Sequence, residues 1–224
     1  MAKKKKKRVY KIKNIIILLI GVILLGMGGT YLVNLPIKNI YVLGNKNVSD
    51  EEIMSLSSLD SYPSFLLVSG SKVKKSILKN KYVKDVRLKK KWNLIVEVEV
   101  LEYEVVVLDN EGRVILENGT SLNNLYNIMD VPKLANVLDS EKLKEFADRF
   151  NYIDKNILRE ISEIEHCPSE VDDDRFLLYM NDGNLVYITL TKVEKMNKYY
   201  DIKDELMEKR GIIYLDSGDY VQLR

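Results

Sequence analysis

The chain is poor in the residues that catalytic and metal-binding sites use most. It has one cysteine, Cys167, so no disulfide can form within the chain, and one histidine, His166. The common zinc sites take several ligands from cysteine and histidine and cannot be assembled from this pair. The sequence also lacks a glycine-rich phosphate loop and a G-x-S-x-G motif around a serine nucleophile. These absences exclude most catalytic and metal-dependent functions.

Acidic residues are missing from the first 13 residues, which carry eight lysines and arginines. The whole chain has 35 basic and 33 acidic residues, so 27 basic residues remain against 33 acidic ones downstream, a net charge of about −6. Binding to a phosphate backbone requires clustered lysine and arginine, so the body is not expected to bind nucleic acid. Residues 1–13 are predicted to be a cytoplasmic tail that is attracted to anionic lipid headgroups.

No charged residue occurs in segment 14–36, which consists mostly of isoleucine, leucine, valine and glycine. About 21 helical residues at 1.5 Å each cross a hydrocarbon core of about 30 Å. The segment therefore predicts a transmembrane helix. The alternative is a cleaved signal peptide, but this needs a shorter apolar region of about 7–15 residues and a small-residue cleavage site, which the sequence does not show.

The uneven charge around this segment also predicts its orientation. Basic residues flank the cytoplasmic ends of membrane helices, so the N-terminus is expected in the cytoplasm. The body that follows is then extracytoplasmic, and the protein is expected to cross the cell membrane once.

The first part of the body predicts two helices between strands. Val96, Val98 and Val100 alternate with charged residues, as in a strand with one buried face. Ser49 and Glu52 have the spacing of a capping box at the start of a short helix. The predicted elements are strand Ile37–Leu43, the helix after Ser49, helix Lys72–Asn80, strand Val83–Leu88 and strand Leu94–Val100. This β-α-α-β-β order is typical of a POTRA domain.

Specific residues in these elements resemble the FtsQ/DivIB family of bacterial cell-division proteins. The matching positions are Ile40, Val42, Gly44, Asn45, Val48, Ser49, Glu52, Ile53, Val83, Val86, Leu88, Trp92 and Asn93. The chain departs from the family at Leu94, which follows Asn93 without the usual proline turn, and at Tyr103, where the family has arginine after Glu102. The resemblance implies a POTRA domain over residues 37–102.

The second half extends the resemblance, with Val131-Pro132-Lys133-Leu134 similar to a family element. We predict a helix over Glu141–Phe150 capped by Ser140, and a second capping box at Thr191 that opens a helix reaching about Lys209. The remaining pattern predicts strands 105–108, 114–116, 161–165, 175–180, 185–190, 212–215 and 220–223. The fold class is therefore α+β, and residues 103–224 are expected to form the family's β domain, which ends in a helix and a terminal strand.

Three local groups invite a chemical interpretation and have a simpler one. Asp172–Asp174 lacks a calcium-loop pattern and is expected to be a solvated loop. His166 and Cys167 are adjacent in sequence, have no third orienting group and are expected to be structural. Ser217 is expected to be a turn residue. We therefore predict no catalytic, cofactor-binding or metal-binding residues.

Protein recognition remains as the expected function. A terminal strand such as Tyr220–Leu223 can leave one ladder of backbone groups for a partner's strand. The family resemblance implies binding of FtsB/DivIC-like and FtsL-like single-pass division proteins, with a septal penicillin-binding protein as a further partner, at the division septum. The matching positions are Leu215, Ser217, Gly218, Tyr220 and Leu223.

Two other functions stay open from the sequence. A membrane-anchored sensor or a transport-associated POTRA protein would share these elements but use other partners. An anchored cell-wall enzyme would need a pocket with converging titratable groups.

Overall fold

The computed structural model describes residues 12–207 and 209–224, so all but the last two residues of the predicted basic tail lie outside the described part. The chain forms two compact units that divide between Leu101 and Glu102. The first unit begins with helix α1 (Ile12–Val33). From Lys13 onward α1 is long and apolar enough to cross a membrane, and none of its most apolar stretch is buried in the protein. This helix fits a membrane anchor.

The rest of the first unit has the predicted β-α-α-β-β order. Its elements are β1 (Asn39–Leu43), α2 (Asp50–Ser57), α3 (Gly70–Ile77), β2 (Val83–Lys91), a 3₁₀ turn (Trp92–Leu94) and β3 (Ile95–Glu102). The sheet order is β1-β3-β2, and β1 runs parallel to β3. The three alternating valines of β3, at positions 96, 98 and 100, are buried, as their period predicted.

The start of α2 confirms the predicted cap at Ser49. The Ser49 hydroxyl accepts a hydrogen bond from the Glu52 amide at 3.2 Å. Helix α3 begins and ends earlier than predicted, because Asn80 is already part of the turn into β2: its Oδ1 accepts from the Tyr82 amide at 3.0 Å. The Asn80 side-chain amide also donates to the Glu52 carboxylate at 2.8 Å, which joins this turn to α2.

The second unit is built on one large sheet. Its elements are β4 (Val105–Leu108), β5 (Val114–Leu116), β6 (Ser121–Leu122), β7 (Lys133–Leu134), α4 (Ser140–Phe150), α5 (Lys155–Arg159), β8 (Ile161–His166), β9 (Arg175–Met180), β10 (Leu185–Thr189), a 3₁₀ helix (Leu190–Lys198), α6 (Tyr199–Glu205), β11 (Gly211–Tyr214) and β12 (Tyr220–Leu223). The nine strands lie in the order β12-β11-β10-β9-β8-β7-β4-β5-β6. Helix α4 and the 3₁₀ helix cover its core, where Phe146, Phe150 and Phe176 pack with ring centroids 4.2–5.8 Å apart.

Two predicted helix starts in this unit are wrong. Asp139, not Ser140, caps α4, and its carboxylate accepts from the amides of Glu141 and Lys142 at 3.0 and 2.9 Å. A carboxylate can accept both bonds and also interacts favourably with the positive end of the helix dipole.

The second wrong start is the capping box at Thr191. This segment is a 3₁₀ helix whose buried residues Leu190, Val193 and Met196 are spaced by three. At three residues per turn these side chains lie on one face, whereas an α-helix would spread them. Helix α6 then ends at Glu205, before the predicted end near Lys209.

The predicted α+β fold, with an apolar N-terminal helix, a POTRA domain and a β-rich domain ending in a helix and strands, is confirmed.

Candidate partner-binding edge

Strand β12 lies at one edge of the nine-stranded sheet. It pairs with β11 in antiparallel register, and among the described residues no strand lies on its other side. An edge strand offers backbone N–H and C=O groups to a further strand.

The register shows which backbone groups of β12 point outward. The Arg224 amide donates to the Arg210 carbonyl at 2.9 Å, which makes this a hydrogen-bonded pair. Hydrogen-bonded and non-hydrogen-bonded pairs alternate along an antiparallel ladder. The backbone N–H and C=O groups of Tyr220 and Gln222 therefore also point toward β11, where they pair with Tyr214 and Ile212. The two residues between them, Val221 and Leu223, point their N–H and C=O groups away from the sheet.

The side chains of the same two residues are apolar and exposed. Val221 and Leu223 share the sheet face that carries the core residue Ile213, but 37% and 53% of their surfaces remain accessible. Across from Leu223 is Gly211, where a Cβ atom would lie 2.9 Å from Val221 Cγ1 and 3.0 Å from the Gln222 carbonyl oxygen. Glycine at this position therefore lets β12 lie close against β11. The exposed side chains of Val221 and Leu223 make the outer surface of the edge apolar.

The opposite face carries a row of stacked tyrosines. Tyr187, Tyr214 and Tyr220 are in register on β10, β11 and β12. Their ring centroids are 5.3 and 4.5 Å apart, with interplanar angles of 19° and 14°. Cross-strand aromatic pairs stabilise a sheet, so this row holds β12 against the strands behind it. The row ends at Tyr220, which is half exposed at the edge.

A charged pair closes the other end of the row. The Arg175 guanidinium lies 3.8 Å from the centre of the Tyr187 ring, and its Nε donates to Asp216 Oδ2 at 2.7 Å. Burial opposes the charge on Asp216, but hydrogen bonds from Arg175 and Ser217 outweigh it, so the pKa of this carboxyl lies below its usual value. Burial likewise opposes the charge on Arg175, and the bond to Asp216 keeps the pKa of the guanidinium above its usual value.

Two lysines hold the turn that leads into β12. Lys195 contacts both carboxylate oxygens of Asp219, at 2.5 and 2.8 Å, and Lys192 donates to the Asp216 carbonyl. The pair Arg175 and Asp216 anchors the start of the same turn. The edge strand is therefore presented on a turn that is held at both ends.

The structure places the five predicted partner-binding residues in three different environments. Leu215 is 4% exposed and belongs to the core, Ser217 and Gly218 are exposed in the turn, and Tyr220 and Leu223 are on the edge strand. The core position of Leu215 places it behind the exposed edge surface, supporting the sheet.

Val221 lies within the predicted terminal strand but was not among the named partner-binding residues. Sequence reasoning missed the stacked tyrosines of β10 and β11 and the pair Arg175 and Asp216. Alternation within Tyr220–Leu223 could have signalled that Val221 and Leu223 share a face, but not which face is open. The tyrosine row depends on the pairing of β10 with β11, which are more than 20 residues apart in the chain.

The three groups that invited a chemical interpretation have structural contacts. His166 Nε2 lies 2.7 Å from the Asp173 carbonyl oxygen, and Asp174 pairs with Lys142 at 2.5 Å. Within the described ranges, no cluster of three or more histidine, cysteine, aspartate or glutamate side chains is arranged to hold a metal. The edge of the sheet is the feature that stands out for recognition.

Comparison with known proteins matches both parts of the chain. Residues 35–103 match the family model of the FtsQ-type POTRA domain, and residues 100–224 match that of the C-terminal region of cell division protein FtsQ/DivIB. The chain is similar to cell division protein DivIB of Bacillus subtilis (strain 168), with 32% identity over 193 residues, covering 83% of this chain and 73% of the relative.

A second relative covers nearly the whole chain. Cell division protein DivIB of Listeria monocytogenes is 27% identical over 229 residues, 97% of this chain and 85% of that protein. A solved structure of the major extracytoplasmic domain of DivIB from Geobacillus stearothermophilus aligns over 45% of this chain and 90% of its own, with 24% identity and a TM-score of 0.40. The chain belongs to the FtsQ/DivIB family of cell division proteins.

Proposed function

We propose that this protein is a non-enzymatic scaffold of the division machinery that crosses the membrane once. Residues 1–13 are cytoplasmic, α1 spans the bilayer, and the POTRA domain (37–102) and β domain (103–224) lie outside, at the division septum. The family membership supports the role in division. The apolar helix and the eight basic residues before its apolar stretch support this topology.

The β domain binds FtsB/DivIC-like and FtsL-like single-pass division proteins by strand addition at β12. One observation carries this proposal: Val221 and Leu223 direct both their backbone groups and exposed apolar side chains away from the sheet. A partner strand gains affinity from the backbone ladder and specificity from side-chain contacts. Through these contacts the protein helps to assemble and regulate the machinery of septal peptidoglycan synthesis, which includes a septal penicillin-binding protein as a further partner.

Anchoring in the same membrane raises the effective concentration of the partners, so each contact can be weak. Such an edge needs only a few backbone bonds, each with a net value of about 0.5–1.5 kcal/mol. Such weak individual contacts suit a scaffold that must also disassemble after division.

The proposal is tested with the full chain in detergent micelles and the exported segment of a DivIC-like protein from the same bacterium. The test variant is Val221→Pro/Leu223→Pro, which removes two outward N–H groups and leaves the bonds to β11. The matched control is Ser121→Pro on β6, at the other edge of the sheet. Leu116 bonds to Thr120 at 2.9 Å, so by the same alternation the Ser121 N–H also points outward.

We expect the double variant to lose binding about fivefold to a hundredfold and Ser121→Pro to bind like the unchanged protein, with both variants folded by circular dichroism. Two lost hydrogen bonds account for about 1–3 kcal/mol, and each 1.4 kcal/mol changes the dissociation constant tenfold. Undiminished binding by the double variant would refute strand addition at β12. Equal loss in Ser121→Pro would show that the effect is not specific to this edge.

A further inference from the structure

One end of the POTRA sheet lies directly beside the end of α1. Five residues separate the end of α1 from the start of strand β1, whose parallel register pairs Asn39 with Ile95. The 3₁₀ turn before β3 is therefore next to the linker, and the Lys38 amide donates to the Leu94 carbonyl at 2.9 Å. The turn residue Trp92 is thus held close to the point where the chain leaves the helix.

A second segment is held against the same point. The Ser64 hydroxyl donates to the Val33 carbonyl at the end of α1. The Phe65 amide donates to the Leu35 carbonyl at 2.9 Å, and the Ile37 amide donates to the Pro63 carbonyl at 3.0 Å. These backbone bonds place the loop after α2 beside the last turn of α1.

Both segments expose large apolar side chains there. Trp92 is 93% exposed, Leu66 54% and Leu67 68%, and Phe65 lines a groove together with Leu32 and Leu35. We call these six residues the juxtamembrane patch. Single exposed apolar residues are ordinary, but a contiguous group that includes the only tryptophan of the chain marks an interaction surface.

Lysines surround the patch. Lys90 donates to the Leu66 carbonyl at 3.2 Å and lies 5.3 Å from the centre of the Phe65 ring. Lys38 and Lys91 line the same groove. Tryptophan is enriched where membrane proteins meet the headgroup layer, and lysine lays its apolar stem along such surfaces while its ammonium group contacts phosphates.

The length of α1 sets the depth of the patch. The 21 residues from Lys13 to Val33 rise about 32 Å, close to the thickness of the hydrocarbon core of about 30 Å. With α1 across the bilayer, Val33 is at the outer boundary of this core. The segments that are hydrogen-bonded to residues 33–38, which are residues 63–65 and Leu94, then lie within the headgroup region, which adds several ångströms on each side.

We propose that the juxtamembrane patch docks the POTRA domain onto the outer leaflet of the bilayer. Trp92, Leu66 and Leu67 enter the boundary between headgroups and acyl chains, and Lys38 and Lys90 contact lipid phosphates, while Lys91 pairs with Glu97 at 2.5 Å. This inference rests on the part of the proposed function that places α1 in the membrane. It adds that the domain is seated on the lipid surface and does not hang from a free linker.

The single tryptophan makes the test direct. The full chain is reconstituted in vesicles of phosphatidylglycerol and phosphatidylethanolamine whose acyl chains are brominated close to the headgroup, since bromine quenches indole emission on contact. The matched control is Trp92→Phe/Leu43→Trp. Leu43 is 46% exposed at the other end of β1, four residues or about 13 Å from Asn39.

We expect blue-shifted emission from Trp92 and quenching severalfold stronger than for the indole at position 43. A further variant, Leu66→Asp/Leu67→Asp, keeps Trp92 as the reporter and should reduce its quenching severalfold, because charged side chains oppose docking of the whole patch. Circular dichroism checks that each variant is folded.

Absent quenching of Trp92, or equal quenching at both positions, would overturn the proposal, as would full quenching in the Leu66 and Leu67 variant. Flotation with the vesicles tests insertion of α1 separately. A chain that floats without quenching refutes the docking alone, whereas a chain that does not float refutes the membrane anchor. No partner protein is present, so quenching can arise only from lipid.

Discussion

Replacing Asp216 with alanine would leave Arg175 without its ionic partner beside the tyrosine row. The side chain of Arg175 is 20% exposed and that of Asp216 is 8% exposed, and Arg175 Nε lies 2.7 Å from Asp216 Oδ2. Removing one partner of a fully buried pair costs about 3–5 kcal/mol. Because Arg175 is partly exposed and keeps its contact with Tyr187, we expect about 3 kcal/mol, the lower end of this range.

The loss should be local to the β domain. At 1.4 kcal/mol for each factor of ten, 3 kcal/mol corresponds to about a hundredfold rise in opening of the structure that protects β11 and β12. Hydrogen exchange followed by mass spectrometry measures this in the full chain, and peptides from the POTRA domain serve as an internal control. Separate units make a single unfolding free energy for the chain poorly defined, which a local measurement avoids.

A double-mutant cycle isolates the pair. We expect the destabilisation of Arg175→Met/Asp216→Ala to be smaller than the sum of the destabilisations of the two single variants, because the double variant leaves no unpaired charge. Exchange of β11 and β12 in Asp216→Ala at the rate of the unchanged protein would refute the argument that this pair anchors the edge.

Three further predictions concern helix capping, a buried hydroxyl and pH. Asp139→Ala should lower the local stability of α4 by about 1 kcal/mol, measured by hydrogen exchange of peptides from this helix, whereas Ser140→Ala should change it by less than about 0.5 kcal/mol; the reverse order would contradict the observed cap. Tyr199→Phe removes hydrogen bonds of 2.8 Å to Asp182 and 3.1 Å to Asn184, so it should cost about 1–3 kcal/mol, and unchanged hydrogen exchange near α6 would argue against it. The pKa of Asp216 is lowered in the folded state, so the ionised carboxylate stabilises the fold fully above the unfolded pKa of about 3.9, and this stabilisation is lost as the pH falls through the folded pKa. When the pH is lowered from 5 into this acid range, the melting temperature of Asp216→Asn should therefore fall less than that of the unchanged protein. Equal falls would contradict this.

Local patterns predicted most elements of this protein well. The alternating valines of β3 required a strand with one buried face, and Ser49 marked the start of α2, because each signal acts within one turn or one strand. Errors arose where two local signals competed. Asp139 and Ser140 are both good caps, and the spacing of Leu190, Val193 and Met196 by three suits a 3₁₀ helix, which the capping box at Thr191 concealed.

The candidate partner-binding edge was predicted only in outline. The sequence located a last strand and proposed residues around it, but Leu215 turned out to lie in the core, and Val221 was not among them. The direction of the backbone groups, toward β11 or away from it, alternates at every residue of β12. Which residues point outward therefore depends on the pairing of β12 with β11, which the bond from the Arg224 amide to the Arg210 carbonyl shows here. No local pattern contains that register.

The sequence by itself determined the apolar N-terminal helix, the order of strands and helices, the α+β class and the family, because hydrophobic period, charge and capping are written along the chain. Tertiary structure alone decided that β12 is an edge, that Val221 and Leu223 face outward, that three tyrosines stack across strands, and that Trp92 lies beside the end of α1. Each of these depends on which strands pair and in which register, and the free energy of that pairing comes from the whole sheet and its core.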